Sequence, residues 1–248
     1  MKVVCIIPAR YASTRFPGKA LADLLGKPMI QHVYERVLAA GVVSFAAVAT
    51  DDERIIAAVE RFGGRAIMTA ASHRSGTDRI AEAVSLLDID DSDIVVNIQG
   101  DQPLFEPSQI DAVAQPLLDD QAIPMSTLIY KIVREEEIAH PNAVKVVFDQ
   151  DHFAIYFSRA TIPYARDKGA KASYYKHHGI YAYRRAFLKE FTKLPESTLE
   201  KLEALEQLRA LEHGYRIKVI ETPYDSVEVD TREELGRVRR LLEAKGYS

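Results

Sequence analysis

A single cysteine, Cys5, stands among the 248 residues, which excludes an intrachain disulfide and a cysteine-rich zinc cluster. It lies inside an apolar run and reads as a small core residue with no chemistry of its own. Long hydrophobic runs are missing as well. No segment approaches the roughly eighteen apolar residues of a membrane span, and Val3 to Ile7 is too short for the apolar region of a secretory signal. A cytoplasmic protein without membrane partners is expected. Positive charge is in deficit, with 32 Lys and Arg against 36 Asp and Glu and a formal net charge of −4. The chain as a whole therefore has no bulk attraction for nucleic acid, and an anionic substrate must be held by a local cluster. Internal repeats and low-complexity segments are absent. So are the Gly-x-Gly-x-x-Gly of dinucleotide folds and the Gly-Lys-Ser/Thr ending of the P-loop, which argues against an oxidoreductase and a P-loop kinase.

What is present is an alternation of apolar runs and helical periodicity. "VVCII", "FAAVAT", "RAIM" and "DIVVNI" read as buried strands, with "PMIQHVYERVLAAG", "DDERIIAAVERFGG" and "TDRIAEAVSLL" as helices between them. This predicts a βαβαβαβ order and an α/β fold with a Rossmann-like, doubly wound, mainly parallel sheet. Thr50-x-x-Glu53, Ser197-x-x-Glu200 and Thr231-x-x-Glu234 have the form of capping boxes. From about Met125 the runs "STLIYKIV", "AVKVVFD", "FAIYFS" and "HHGIYAYR" predict an antiparallel or mixed extension, a smaller lobe or subunit-contact region. "STLEKLEALEQLRALEHG" reads as one amphipathic helix, followed by the strand "YRIKVIE" and a closing helix "TREELGRVRRLLEAKG".

In such sheets ligands gather beyond the carboxyl ends of the strands, where three loops fall. The opening loop after Ile7 carries Arg10, Arg15 and Lys19 among small residues. Two guanidiniums can grip phosphate oxygens bidentately and a lysine can act as a mobile point charge, a set that suits a triphosphate. In "NIQGDQP", Asp101 follows a glycine at the same edge, and Asp230 in "SVEVDT" stands at another turn into a helix. Two such aspartates facing a cationic loop form a coherent metal-phosphate site, since Mg²⁺ favours one or two carboxylates with phosphate oxygens. "SHRSGTDR" offers Ser75, Gly76 and Thr77 at a helix start, with Arg74 and Arg79 available for phosphate or base; an N-cap with surface arginines accounts for it equally well. His177 and His178 lack a metal-binding partner at a familiar spacing, so hydrogen bonding to a polar substrate suits them better. Glu206 and Gln207 would ordinarily occupy an exposed helix face.

Taken in order, "IIPARYASTRFPGK", "VATDDE", "SGTDR", "VNIQGD", "NAVKVV", "YFSRATIP", "HHGIYAYR", "LEALEQLRALEHG" and "VEVDT" closely resemble the 3-deoxy-manno-octulosonate cytidylyltransferases, the CMP-KDO synthetases. The resemblance covers nearly the whole chain. It implies a single nucleotide-diphospho-sugar transferase-type domain over 1–248, with residues 1–125 binding nucleotide. It further implies an inserted mixed-sheet, dimer-contact part at about 126–185, and a sugar-acid helix with the second metal aspartate in 186–248. The implied reaction moves CMP from CTP to the anomeric hydroxyl of an eight-carbon sugar acid, releasing pyrophosphate, on the route to lipopolysaccharide. Mg²⁺ dependence and a homodimer are implied with it. Position by position, Arg10, Arg15 and Lys19 would hold the CTP phosphates, with Arg74 and Ser75 at the nucleotide, and Asp101 and Asp230 would bind Mg²⁺. Lys19, Arg15 and the two aspartates would form the catalytic set. Gln99, Arg159, His177, Tyr181, Glu206 and Gln207 would line the sugar-acid pocket, with Arg159 toward the substrate carboxylate. No covalent nucleophile or general base is assigned.

Two positions depart from the family pattern: "QGDEP" reads "QGDQP" through Gln102, and an aromatic "IPW" reads "IPY" through Tyr164. A branch acting on the 8-amino analogue of KDO also resembles the chain, including "QGDQP", so that acceptor is an alternative. A non-catalytic nucleotide sensor is a third reading; it would need the cationic loop without the two carboxylates.

Overall fold

The computed structural model describes residues 1–13, 15–73, 75–167 and 172–244. Strand β1 (Val3–Ala9) is buried along its whole length. It pairs in parallel on one edge with β4 (Phe45–Thr50) and on the other with β6 (Ile94–Asn97). A strand covered on both faces must be apolar at every position, which explains the unbroken run in the sequence. Between β1 and β4 come a single 3-10 turn (Lys19–Leu21), a two-residue ribbon of β2 (Asp23–Leu24) with β3 (Lys27–Pro28), and helix α1 (Met29–Leu38). Helix α2 (Glu53–Arg61) and β5 (Ala66–Met68) follow, then α3 (Gly76–Ser85) before β6.

The second half adds α4 (Ser108–Asp119), β7 (Met125–Lys131), α5 (Glu135–Ala139), β8 (Lys145–Phe148), β9 (Ala154–Ser158) and β10 (Tyr175–Arg184). It closes with α6 (Arg185–Phe191), α7 (Thr198–Glu203), α8 (Gln207–Glu212), β11 (Ile217–Glu221) and α9 (Arg232–Ala244). The sheet order is β11-β7-β10-β6-β1-β4-β5, with the β8–β9 hairpin attached at the edge of β10. β10 runs antiparallel to β6 and β7, while β11 is parallel to β7. The predicted parallel sheet with a mixed extension is therefore one continuous structure.

The pleat sorts side chains to two faces. Val3, Cys5 and Ile7 pack with Ile30 and Val33 of α1 and with Ile110 and Val113 of α4. Val4 and Ile6 pack on the other face with Ile80 and Val84 of α3 and Phe187 and Phe191 of α6. The fold is thus doubly wound. Cys5 is fully buried, and burial pushes its thiol pKa up, so its core role stands.

Three expectations change. Asp52, not Thr50, caps α2: its carboxylate accepts from the Arg54 amide at 2.9 Å, because Thr50 is still paired in β4. The box at Thr231 forms as read, and at Ser197 the Glu200 carboxylate accepts from the Ser197 amide at 3.1 Å. The leucine-rich segment is two helices, not one. Ala204 turns left-handed at φ 50° and ends α7, and α8 restarts at Gln207. The segment around Asp230 is an extended loop after β11 and is not a strand.

Glycine at position 100 is required by close approach. A Cβ there would lie 3.0 Å from the carbonyl oxygen of Pro8, at the end of β1. Gly100→Ala is expected to cost about 1–3 kcal/mol through overpacking against rigid backbone. Urea unfolding of the two proteins measures that difference directly.

Candidate active site

The opening loop is held down by a hydrophobic side chain among its charges. Phe16 is buried against Leu24, Met29, Val229 and, from α9, Val238 and Leu242. Gly18, at φ 72°, reverses the chain so that its amide donates to the Tyr11 carbonyl at 2.8 Å, and Lys19 opens the 3-10 turn. This geometry sends the Lys19 ammonium between two carboxylates: Nζ lies 2.6 Å from Asp101 Oδ2 and 3.1 Å from Asp230 Oδ1, and it also donates to the Val229 carbonyl at 3.2 Å. Arg15 Nη2 takes the other Asp230 oxygen at 2.8 Å. Burial alone would lower the Lys19 pKa, but Asp101 and Asp230 outweigh it and raise it. The two aspartate loops touch through backbone, Val229 N–H donating to the Asp101 carbonyl at 2.9 Å.

Two carboxylates converging on one cationic point give an all-oxygen donor set, which fits a hard dication that completes its sphere with phosphate oxygens and water. Among the described residues no cluster of three or more Asp, Glu, His or Cys could hold a metal ion without such help. Sequence reasoning missed Glu228, whose Oε1 accepts from Gln102 Nε2 at 3.1 Å. The available signal was spacing: in an extended segment Glu228 and Asp230 share a face.

Among the nucleotide candidates, Arg10 Nη2 donates to the His73 carbonyl at 3.0 Å, joining the opening loop to the loop before α3. Ser75 caps α3, accepting from the Asp78 amide at 3.1 Å. Arg74 lies outside the described residues. Arg79 is not available for a ligand: it is fully buried, donates to Thr69 Oγ1 at 2.6 Å and pairs with Asp51 at 3.0 Å. Gln99 donates to Asn97 Oδ1 at 3.1 Å and faces Gly76 across a gap that a Cβ would narrow to 3.9 Å.

The sugar-acid candidates gather beside this. The break at Ala204 turns Glu206 and Gln207 inward, against the expectation of an exposed face; Gln207 is buried and its Nε2 has no hydrogen-bond partner among the described residues. Arg209 holds the break together, with Nε and Nη2 on the two oxygens of Glu200. The Thr77 hydroxyl donates to Glu206, which also bonds Ser75; burial still raises the Glu206 pKa. His177 lies on β10, Nε2 3.1 Å from Thr127 Oγ1, in ring contact with Phe157 and Tyr181. Burial pushes the Tyr181 hydroxyl up and the His177 imidazole down to about 3, so both are neutral at pH 7. Arg159 donates to the carbonyls of Glu203, Pro141 and Ala204, so its guanidinium is fixed beside the α7–α8 break. Lys145, also overlooked, is fully buried near Arg159, its ammonium on the His140 carbonyl at 2.8 Å.

The His177 shift has a definite sign. Its folded-state pKa of about 3 lies below the ordinary 6.5, so the native state binds fewer protons than the unfolded chain between those values. Its stabilising contribution is complete above pH 6.5 and is lost as pH falls toward 3. Melting temperatures across that range should fall less steeply for His177→Asn than for the unaltered protein.

Comparison with known proteins places this geometry. The family model for cytidylyltransferases matches residues 4–218. The 3-deoxy-manno-octulosonate cytidylyltransferase of Syntrophus aciditrophicus (strain SB) is 72% identical over 241 residues, 97% of each chain. The protein of the same name from Desulfatibacillum aliphaticivorans is 59% identical over 242 residues, covering 98% of this chain and 99% of that one. Among solved structures, CMP:2-keto-3-deoxy-manno-octonic acid synthetase complexed with CTP superimposes with a TM-score of 0.94 at 47% identity, over 99% of this chain and 100% of that one. A cytidylyltransferase from Leptospira borgpetersenii, at 17% identity and TM-score 0.63 over 98% of this chain and 87% of that one, shares the fold. With its motifs folded into one site and this likeness running from end to end, the chain belongs to the 3-deoxy-manno-octulosonate cytidylyltransferase family.

Proposed function

We propose that the chain transfers CMP from CTP to the anomeric hydroxyl of 3-deoxy-manno-octulosonate, giving CMP-KDO and pyrophosphate. The observation that carries this reading is the meeting of Lys19, Arg15, Asp101 and Asp230 within 2.6–3.1 Å. Such a set recognises a polyphosphate together with a dication, and the relatives' shared name supplies the acceptor. The sugar hydroxyl oxygen forms the new bond to the α-phosphorus, the bond from that phosphorus to the bridging oxygen breaks, and pyrophosphate leaves with its electron pair. The hydroxyl proton passes to solvent.

Each residue's task follows from its charge and place. Lys19 and Arg15, neutralised by aspartates in the free chain, would turn to the phosphates of CTP, and Asp101 and Asp230 would be the residues to hold Mg²⁺. Bound there, Mg²⁺ supplies Lewis-acid neutralisation of the phosphate charge. Arg10 steadies the nucleotide loop. Gln99, Glu206, Gln207, His177 and Tyr181 offer neutral or anionic partners to sugar hydroxyls, while Arg159 and Lys145 give the cationic side to which the acid's carboxylate is drawn. Positioning and charge neutralisation suffice for the chemistry, and no residue needs to become covalently attached.

The 8-amino acceptor is not favoured, since the relatives bear the KDO name. The same reading sets the protein in the cytoplasm, with its CTP supply, and its product on the route to lipopolysaccharide. It also makes the protein a homodimer through residues about 130–175, where Val133, Ile155 and Tyr164 are exposed.

Pyrophosphate release from CTP and Mg²⁺, with KDO, 8-amino-KDO and sialic acid offered separately, should be fastest with KDO. Asp101→Asn should lower turnover by about a hundredfold or more, in line with removing one charge-stabilising group, while calorimetry still registers CTP binding. Unchanged turnover in Asp101→Asn would overturn the role given to Asp101, and CTP binding without turnover in the unaltered chain would favour the sensor over the enzyme. Light scattering at micromolar concentration should give twice the chain mass, and a monomer would overturn the dimer.

A further inference from the structure

Besides the Lys19 bridge and apolar packing, two hydrogen bonds among the described residues join the loops that carry the two aspartates. One is the backbone bond from Val229 to Asp101. The other is a side-chain bond between the residues next along, Gln102 Nε2 to Glu228 Oε1 at 3.1 Å. Gln102 is 2% exposed and its Oε1 has no partner among the described residues, so the Nε2 bond to Glu228 is what its amide makes there. Glu228 is exposed as a residue, while burial around its carboxyl and the nearby Asp101 raise its pKa.

Charge explains why an amide stands at 102. Asp101, Asp230 and Glu228 are three carboxylates in adjoining positions; the ion pairs of Lys19 and Arg15 go to the two aspartates, and Lys19 acts on Glu228 through space. A carboxylate at 102, as in the family's "QGDEP", would in this chain be buried and would face Glu228, the residue that the amide now bonds. Like charges so placed repel, and the two loops would part.

Resting on the reading of Asp101 and Asp230 as the Mg²⁺ pair, we propose that Gln102 is a positioning residue whose amide fastens Glu228 and so sets the separation of the two metal-binding carboxylates. Glu228 is the other half of the clamp, and neither residue need touch the metal.

The clamp can be reversed, which makes it testable. CTP binding without an acceptor sugar, followed by calorimetry across a Mg²⁺ series, reads metal dependence without turnover. Gln102→Glu should raise the Mg²⁺ needed for half-maximal CTP binding about tenfold, the size of one modest interaction. The double variant Gln102→Glu, Glu228→Gln restores one amide and one carboxylate with their places exchanged, and should return the requirement to within about twofold of the starting protein. An unchanged requirement in Gln102→Glu, or a double variant as impaired as the single one, overturns the proposal. If Gln102→Glu does not fold, the double variant alone decides: it must fold and match the starting protein. Asp101→Asn separates the two levels of inference. Should it leave the Mg²⁺ requirement unchanged, the metal reading fails and takes this one with it; should it raise the requirement while Gln102→Glu does not, only the clamp fails.

Discussion

One ammonium group organises this site. Lys19 is 82 residues from Asp101 and 211 from Asp230, yet a single nitrogen lies within hydrogen-bond distance of both. Two carboxylates brought together without a cation would repel, so the convergence is stable only while positive charge stands between them. Apolar packing sets the stage: Phe16 from the opening loop and Val229 from the distal loop share one small core with α9. Hydrophobic contact brings the loops together, and the ammonium makes their charges compatible.

The second joint lies between the start of α3 and the restart of the chain after α7. Ser75 and Thr77 open α3, and both bond Glu206 at the restart after α7. The carboxylate that the family resemblance assigns to the sugar is thereby built onto the loop assigned to the nucleotide. Around it His177 and Tyr181 are kept uncharged by burial, so this wall offers directional hydrogen bonds without charge.

Much of this was legible in the sequence for a physical reason. Strands buried on both faces must be apolar throughout, so β1, β4 and β6 announced themselves, and with them the edge where the loops had to meet. Lys19, Arg15, Asp101 and Asp230 could be read as a group because that edge collects chain segments regardless of their separation. Other features left weaker traces. The leucines from 199 to 211 keep helical spacing straight through the break at Ala204, since hydrophobic periodicity reports which residues are buried and not whether the backbone is continuous. Arg79 looked like a surface charge because its partners, Thr69 and Asp51, belong to turns that only the fold brings near. Helix α4 escaped notice with Pro116 inside it, a residue that ordinarily argues against a helix.

The core shared by Phe16, Val229 and α9 bears on the order in which the protein is made. Synthesis runs from the amino end, and domains begin to fold as they emerge. Lys19 and Asp101 can meet early, but Asp230 and the helix that covers Phe16 leave the ribosome only after every strand of the sheet has done so. A nascent chain halted before that point would have the strands of its sheet but neither Asp230 to pair with Lys19 nor the helix that covers Phe16.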